Sequence, residues 1–244
     1  VPHEAIGLCE SALSRDPRDA EAQRHLGSLM LLVGREREAE NASRHATVLA
    51  PADPRAWSDL GRVHALQKKY ADAERCFRAA VSLDDKHADA WHNLGTALRQ
   101  LGRYEEAFTA LKQALLLDSS RAGTYLNLGA LLIESRQLDD ALACFERAAK
   151  LDPSMARAQS RIASHLSSRG KVKRAEGHYR KSVSLDPAHV DGWLGLGQAL
   201  EDSGDGDGAL GCYRNVLARD ADSAIALGRY LALLREPAPA ALLR

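Results

Sequence analysis

A period of 34 residues governs this sequence. Blocks of 34 that start at Ala20, Pro54, Ala88, Ala122, Ala156 and Val190 align without an insertion or deletion. The eighth position then reads Gly27, Gly61, Gly95, Gly129, Ala163, Gly197, and the twentieth is alanine in all six blocks: Ala39, Ala73, Ala107, Ala141, Ala175, Ala209. At the twenty-seventh stand Ala46, Ala80, Ala114, Ala148, Ser182 and Val216. Small residues that recur in this way mark places where two helices approach so closely that a longer side chain would force their axes apart. Large residues fall three apart beside them, Trp57 with Leu60, Trp91 with Leu94, Tyr125 with Leu128 and Trp193 with Leu196, and residues three apart share a helical face. A fixed period of this length is the mark of an array of helix pairs, in which each unit buries its apolar face only against its neighbours.

Each block divides into two helices. In the second, Pro54 opens the first helix, where its missing donor costs nothing, and the apolar spacing runs to Leu66. A polar turn near Lys68 and Lys69 leads to a second helix, Tyr70 to Leu83. Leu-Asp-Pro at 151–153 and 185–187, and Asp-Pro at 16–17, mark helix ends, because the residue before proline is pushed out of the helical region. The sixth block carries additional glycines, Gly192, Gly195, Gly208 and Gly211. Each costs roughly 0.5 to 1 kcal/mol in a helix interior relative to alanine, which predicts that this block opens first.

The pattern Ala-Trp-x-x-Leu-Gly (Ala56–Gly61, Ala90–Gly95) is followed twelve positions later by alanine and then by an aromatic, Phe77, Phe145, Tyr179 or Tyr213. This resembles the tetratricopeptide repeat. The resemblance implies an all-α, right-handed superhelical α-solenoid of stacked helix-turn-helix repeats. Six repeats are expected over 20–223 (20–53, 54–87, 88–121, 122–155, 156–189, 190–223). Residues 1–19 match the second helix of a leading repeat, 224–235 a capping helix or the start of a seventh repeat, and 236–244 a Pro/Ala linker. The fit is looser at Gln23, Ser43, Gln159 and Ala163. Starting within a repeat, without an initiator methionine, the chain reads as a piece of something longer.

Composition excludes several kinds of chemistry. Basic and acidic side chains number 33 each, so the basic field that drives nucleic-acid binding is missing. Ten of the twelve aromatics fall at repeat-core positions, leaving Phe108 and Tyr230, too few to stack bases or cage a cation. No stretch is apolar for long enough to span a membrane. Gly206-Asp-Gly208-Ala-Leu-Gly211 spells G-x-G-x-x-G but follows a helix rather than the strand a dinucleotide site requires. Asp202, Asp205 and Asp207 lack the spacing and closing glutamate of a calcium loop. Cys76, Cys144 and Cys212 recur every second repeat, too far apart for a disulfide or a shared zinc, and read as packing residues in a reducing compartment. The histidines are scattered, and no nucleophile or carboxylate pair is marked out. No catalytic residue, metal or cofactor is expected.

Binding is expected on the face shared by positions 2, 5, 6, 9 and 13 of the first helices, which lines the concave groove in the family. In the third repeat these are Asp89, His92, Asn93, Thr96 and Gln100; in the fourth Gly123, Leu126, Asn127, Ala130 and Glu134; in the fifth Arg157, Ser160, Arg161, Ser164 and Ser168. Asn93 and Asn127, with Asp59 before them, resemble the asparagine ladder of O-linked N-acetylglucosamine transferase arrays, where amides grip a peptide backbone. Asn127, Arg157 and Arg161 match part of the dicarboxylate clamp of chaperone-binding repeats, but His92 and Thr96 stand where that clamp has lysine and asparagine. The candidate groove residues are thus Asp59, His92, Asn93, Thr96, Asn127, Arg157 and Arg161. The reading is a non-catalytic scaffold for an extended peptide or partner protein, including one with an acidic or C-terminal carboxylate, with self-association left open. The alternatives are the substrate-recruiting module of a larger glycosyltransferase or sulfotransferase, and a bacterial envelope or secretion assembly factor. A cytoplasmic location is favoured, or a periplasmic one if a signal was removed.

Overall fold

The computed structural model describes residues 2–235; the expected linker at 236–244 lies outside the described residues. Among these the protein is all-α, a solenoid of helix pairs with fourteen helices and no strand. Its contacts divide it into two compact units, up to Leu131 and from Leu132 on, the division falling within α8 (Ala122–Glu134). In the first unit α1 (Pro2–Arg15) precedes three pairs: α2 (Ala20–Leu32) with α3 (Glu36–Leu49), α4 (Pro54–Leu66) with α5 (Tyr70–Leu83), and α6 (Ala88–Gln100) with α7 (Tyr104–Leu117). In the second, α9 (Leu138–Leu151) packs on α10 (Ala156–Ser168), which pairs with α11 (Val172–Leu185). Then α12 (Val190–Asp202) pairs with α13 (Gly206–Leu217), and α14 (Ala224–Arg235) packs on α13.

The small positions do what their spacing implies. Every alanine of the twentieth position is at most 1% exposed. A β-carbon on Gly61 would lie 2.6 Å from the Phe77 ring, and one on Gly197 2.7 Å from Tyr213, so the eighth-position glycine admits the large residue of its own second helix. Where the fifth repeat carries Gln159 in place of tryptophan, the buried amide accepts a hydrogen bond from His178 Nδ1 at 2.9 Å. Ser182, in place of alanine, donates to the Ala156 carbonyl at 2.9 Å. Both departures keep a buried polar group partnered.

Turns repeat as faithfully as helices. The fifteenth residue of every repeat has positive φ: Gly34, Lys68, Gly102, Arg136, Gly170 and Gly204, between 59° and 83°. Glycine takes this conformation without cost, whereas Lys68 and Arg136 do so against their β-carbons. Between repeats, Asp84, Asp118, Asp152 and Asp186 are extended C-caps whose carboxylates accept from the backbone N–H two residues on, at 2.9–3.0 Å. Asp84 and Asp118 precede no proline, so this aspartate turn, rather than proline, is the device common to these four helix ends, whereas α3 and α13 end at Ala50 and Ala218. Trp57, Trp91 and Trp193 each donate an indole N–H to the carbonyl six residues earlier (2.8–2.9 Å), fixing each first helix to the turn before it.

The sixth-repeat glycines have separate reasons. A β-carbon at Gly195 would collide with the Tyr179 ring, and one at Gly192 would press on His189, Ser182 and Val183 at 3.0–3.1 Å. Gly208 donates its N–H to the capping carboxylate of Asp205 (2.9 Å), so the G-x-G-x-x-G stretch is an ordinary capped helix start. Only around Gly211 is there open space. Close approach thus accounts for Gly195 and for Gly208, whose β-carbon would meet the Asp205 carboxylate, and it presses on Gly192.

Candidate functional site

In the first unit the first helices α2, α4 and α6 lie against one another. With the turns beside them they line a cleft of about 510 Å³ that holds Asp59, His92 and Asn93 together with Arg24, Arg55, Arg62 and Arg121. Its arginines are engaged. Arg24 donates to Asp59 Oδ2 at 3.2 Å and Arg62 to Oδ1 at 3.0 Å, so the nearly buried Asp59 carboxylate bridges two guanidinium groups. Arg55 pairs with Asp53 at 3.0 Å, and Arg121 with Asp89. Asn93 is half-buried and makes no hydrogen bond among the described residues, leaving an amide that both donates and accepts facing this cleft.

His92, Thr96 and Asn127 form one cluster with Thr124. The Asn127 amide donates to Thr96 Oγ1 at 2.9 Å and points at His92 Nε2 at 3.5 Å; Thr96 in turn donates to the His92 carbonyl at 3.0 Å. His92 Nδ1 lies 2.9 Å from the hydroxyl of the fully buried Thr124. Nε2 faces a donor, so Nδ1 is the nitrogen that carries the proton and donates to Thr124. Burial holds the His92 pKa below the ordinary imidazole value, so the ring stays neutral and suited to this arrangement. Thr124 stands where four of the other repeats carry alanine and the sixth carries Gly192, and that departure was the available signal for the cluster.

In the second unit Arg157 and Arg161 are exposed, one turn apart on α10, and neither is in an ion pair among the described residues. The arrangement suits one carboxylate held by two guanidinium groups. Ser160, expected on the same face, is instead 6% exposed and hydrogen-bonds His189 Nε2 at 2.9 Å. Sequence reasoning also missed Arg24 and Arg121, whose partners stand 35 and 32 residues away, and Arg62, whose partner Asp59 lies three residues before it on the same helix; opposite charges at these spacings were the signal.

A stack of helix pairs with a polar, partly unsatisfied face on its first helices defines a repeat scaffold of the kind that binds other proteins. Two tetratricopeptide repeat models match, one at residues 53–120 and 86–154, the other at 126–190 and 161–224. The chain belongs to the tetratricopeptide repeat family. No curated protein matches the sequence significantly. Among solved structures, the chain is similar to one in the Cut9–Hcn1 hetero-tetramer of the APC/C, with a TM-score of 0.87 and 15% identity over 96% of this chain and 46% of that one. It thus spans about half the length of that relative. It is also similar to PilF of Pseudomonas aeruginosa (TM-score 0.77, 22% identity, 91% of this chain and 100% of that one). A third likeness is to YrrB, described as a tetratricopeptide repeat protein with an unusual peptide-binding site (TM-score 0.57, 20% identity, 77% of this chain and 96% of that one). At these identities the likenesses show the fold alone. No helix among the described residues is long and apolar enough to cross a membrane.

Proposed function

We propose that the chain is a non-catalytic scaffold that binds an extended segment of a partner protein along the polar face of its first helices. The observation that carries this is the contrast among its groove arginines: those of the first-unit cleft are neutralised by internal carboxylates, while Arg157 and Arg161 are exposed without one. A charge left in water one turn from a like charge stabilises nothing in the fold, and it is available to an acidic side chain or a C-terminal carboxylate. Asn93, with an uncommitted amide, supplies the backbone contact that the asparagine-ladder resemblance implies. His92, Thr96 and Asn127 fix the surface beside it through their mutual hydrogen bonds. YrrB, a fold relative with a peptide-binding site, supports the same reading.

The test is a display library of extended peptides selected on the wild-type chain, followed by titration of the enriched sequences. Selection should enrich peptides with an acidic residue or a free C-terminus. Arg161→Ala should cost about 1.5 to 3 kcal/mol of binding, the loss of a charge-assisted hydrogen bond, and Asn93→Ala a smaller amount. Affinity unchanged by both substitutions would remove the groove reading.

A further inference from the structure

In the first unit the sixth position of successive first helices carries Asp59, Asn93 and Asn127, and these side chains differ in what they still offer to a ligand. The Asp59 carboxylate is spent on Arg24 and Arg62. The Asn93 amide makes no hydrogen bond among the described residues, so it can turn its oxygen or its nitrogen outward. The Asn127 amide is held, and held in one orientation.

Thr96 sets that orientation. It has one hydroxyl hydrogen, and its donation to the His92 carbonyl at 3.0 Å uses that hydrogen, because a carbonyl can only accept. Thr96 Oγ1 therefore meets Asn127 with a lone pair, and the amide atom 2.9 Å from it is the nitrogen. The same nitrogen lies 3.5 Å from His92 Nε2, which receives it with the lone pair of a neutral ring whose proton is on Nδ1, toward Thr124. The reverse orientation would set Oδ1 against two lone pairs and leave Thr96 and His92 without their donor. With both amide hydrogens turned inward, Asn127 offers Oδ1 alone. That oxygen has no partner among the described residues and keeps access to solvent.

We propose that Asn127 is an acceptor-only subsite, which takes a main-chain N–H of the bound segment and rejects a carboxylate, with Thr96 and His92 as its positioning residues. An ionised carboxylate has acceptors and no donor, so it would oppose Oδ1 oxygen to oxygen. The resemblance of Asn127 to the clamp asparagine therefore does not extend to its chemistry, and an acidic group of the ligand is held elsewhere. Asn93, free to turn, has no such preference. The assignment rests on the reading that a partner segment lies along this face, and it names what that segment must present at one point.

Heteronuclear NMR of the ligand-free chain reads the orientation directly. His92 should carry its proton on Nδ1, and the Asn127 amide hydrogens should exchange slowly and show nuclear Overhauser contacts to the Thr96 methyl group. The peptide most enriched by selection on the wild-type chain is then remade with each main-chain N–H replaced in turn by an ester oxygen. One ester should weaken binding about tenfold, the worth of one hydrogen bond, and that penalty should vanish in Asn127→Ala. It should shrink in Thr96→Val, which frees the amide to turn, and return in Thr96→Ser. A His92 proton on Nε2, or ester penalties that all survive Asn127→Ala, would overturn the proposal and leave groove binding standing. A selection that enriches no peptide would remove the groove reading and this assignment with it.

Discussion

Glycine to alanine inside a helix ordinarily stabilises it by about 0.5 to 1 kcal/mol. Within one repeat of this protein the same substitution should have opposite signs. Gly211 lies in α13 with nothing within 4 Å of where a β-carbon would stand, so Gly211→Ala should stabilise by that ordinary amount. Gly195 lies in α12 against Tyr179, and its β-carbon would stand 2.7 Å from the phenol oxygen and closer still to the ring. Tyr179 has little room to yield, being 7% exposed and hydrogen-bonded to Ser164 and Ser167. Ala163 holds the eighth position of this repeat, where glycine elsewhere admits the ring. The methyl group takes that space, and the ring lies against the next first helix. Overpacking costs about 1 to 3 kcal/mol, which exceeds the helical gain, so Gly195→Ala should destabilise by about 1 to 2 kcal/mol. Reopening the space with Ala163→Gly should relieve part of this, with a coupling of about 1 kcal/mol between the two sites. Urea unfolding at constant slope gives the totals. Hydrogen exchange in α11 and α12 localises the effect, because neighbouring repeats need not unfold together. The account fails if Gly195→Ala stabilises as Gly211→Ala does, or if the Ala163→Gly and Gly195→Ala effects simply add.

Lys68→Gly and Arg136→Gly, at the two positive-φ turns without glycine, should each stabilise by about 1 kcal/mol, since a left-handed conformation costs other residues about 1 to 2; a lower urea midpoint in either variant would contradict this. His64, 7% exposed with Nδ1 unpartnered, stands where five repeats carry leucine or methionine. Burial lowers its pKa below 6.5, against the opposing pull of Glu40 and Asp72 and with help from Lys69 and Arg44. The unfolded chain therefore binds the proton more readily, and stability should fall as pH drops below about 6.5. His64→Leu should raise the melting temperature more at pH 5 than at pH 8, and an equal gain at both would show that the ring does not titrate on unfolding.

The helices and the close approaches between them were legible because they depend on one residue type at one position: alanine at the twentieth, glycine at the eighth. The turn within a repeat was legible by its place, at Lys68 and Lys69, but not by its positive φ, because a charged side chain carries no sign of backbone strain. The face of the first helices was legible as a set of residues but not as a set of partnerships. Asp59 is bound by Arg24, 35 residues away, and Asn127 by Thr96, 31 away. Such pairs depend on how one repeat is rotated on the next, which a 34-residue alignment treats as equivalent throughout. Thr124 and Ser160 show the same limit: both are buried by the neighbouring repeat's geometry, and each is matched to a histidine.

Those partnerships change what a groove arginine is worth. A ligand carboxylate that approaches Arg24 or Arg62 competes with Asp59, which already accepts from both, so it exchanges one ion pair for another and leaves Asp59 nearly buried without its partners. Removing one partner of a buried pair costs more than an exposed pair returns. At Arg157 and Arg161 no such exchange is required, and the guanidinium groups give up only water. Arginine number along the face is therefore a poor guide to acidic-ligand affinity in this protein. On the proposed reading, Arg62→Ala should chiefly lower stability through Asp59, while Arg161→Ala should chiefly lower binding. The two effects separate when thermal melting and peptide titration are measured on the same pair of variants, and a reversal of the two would place the ligand carboxylate in the first-unit cleft instead.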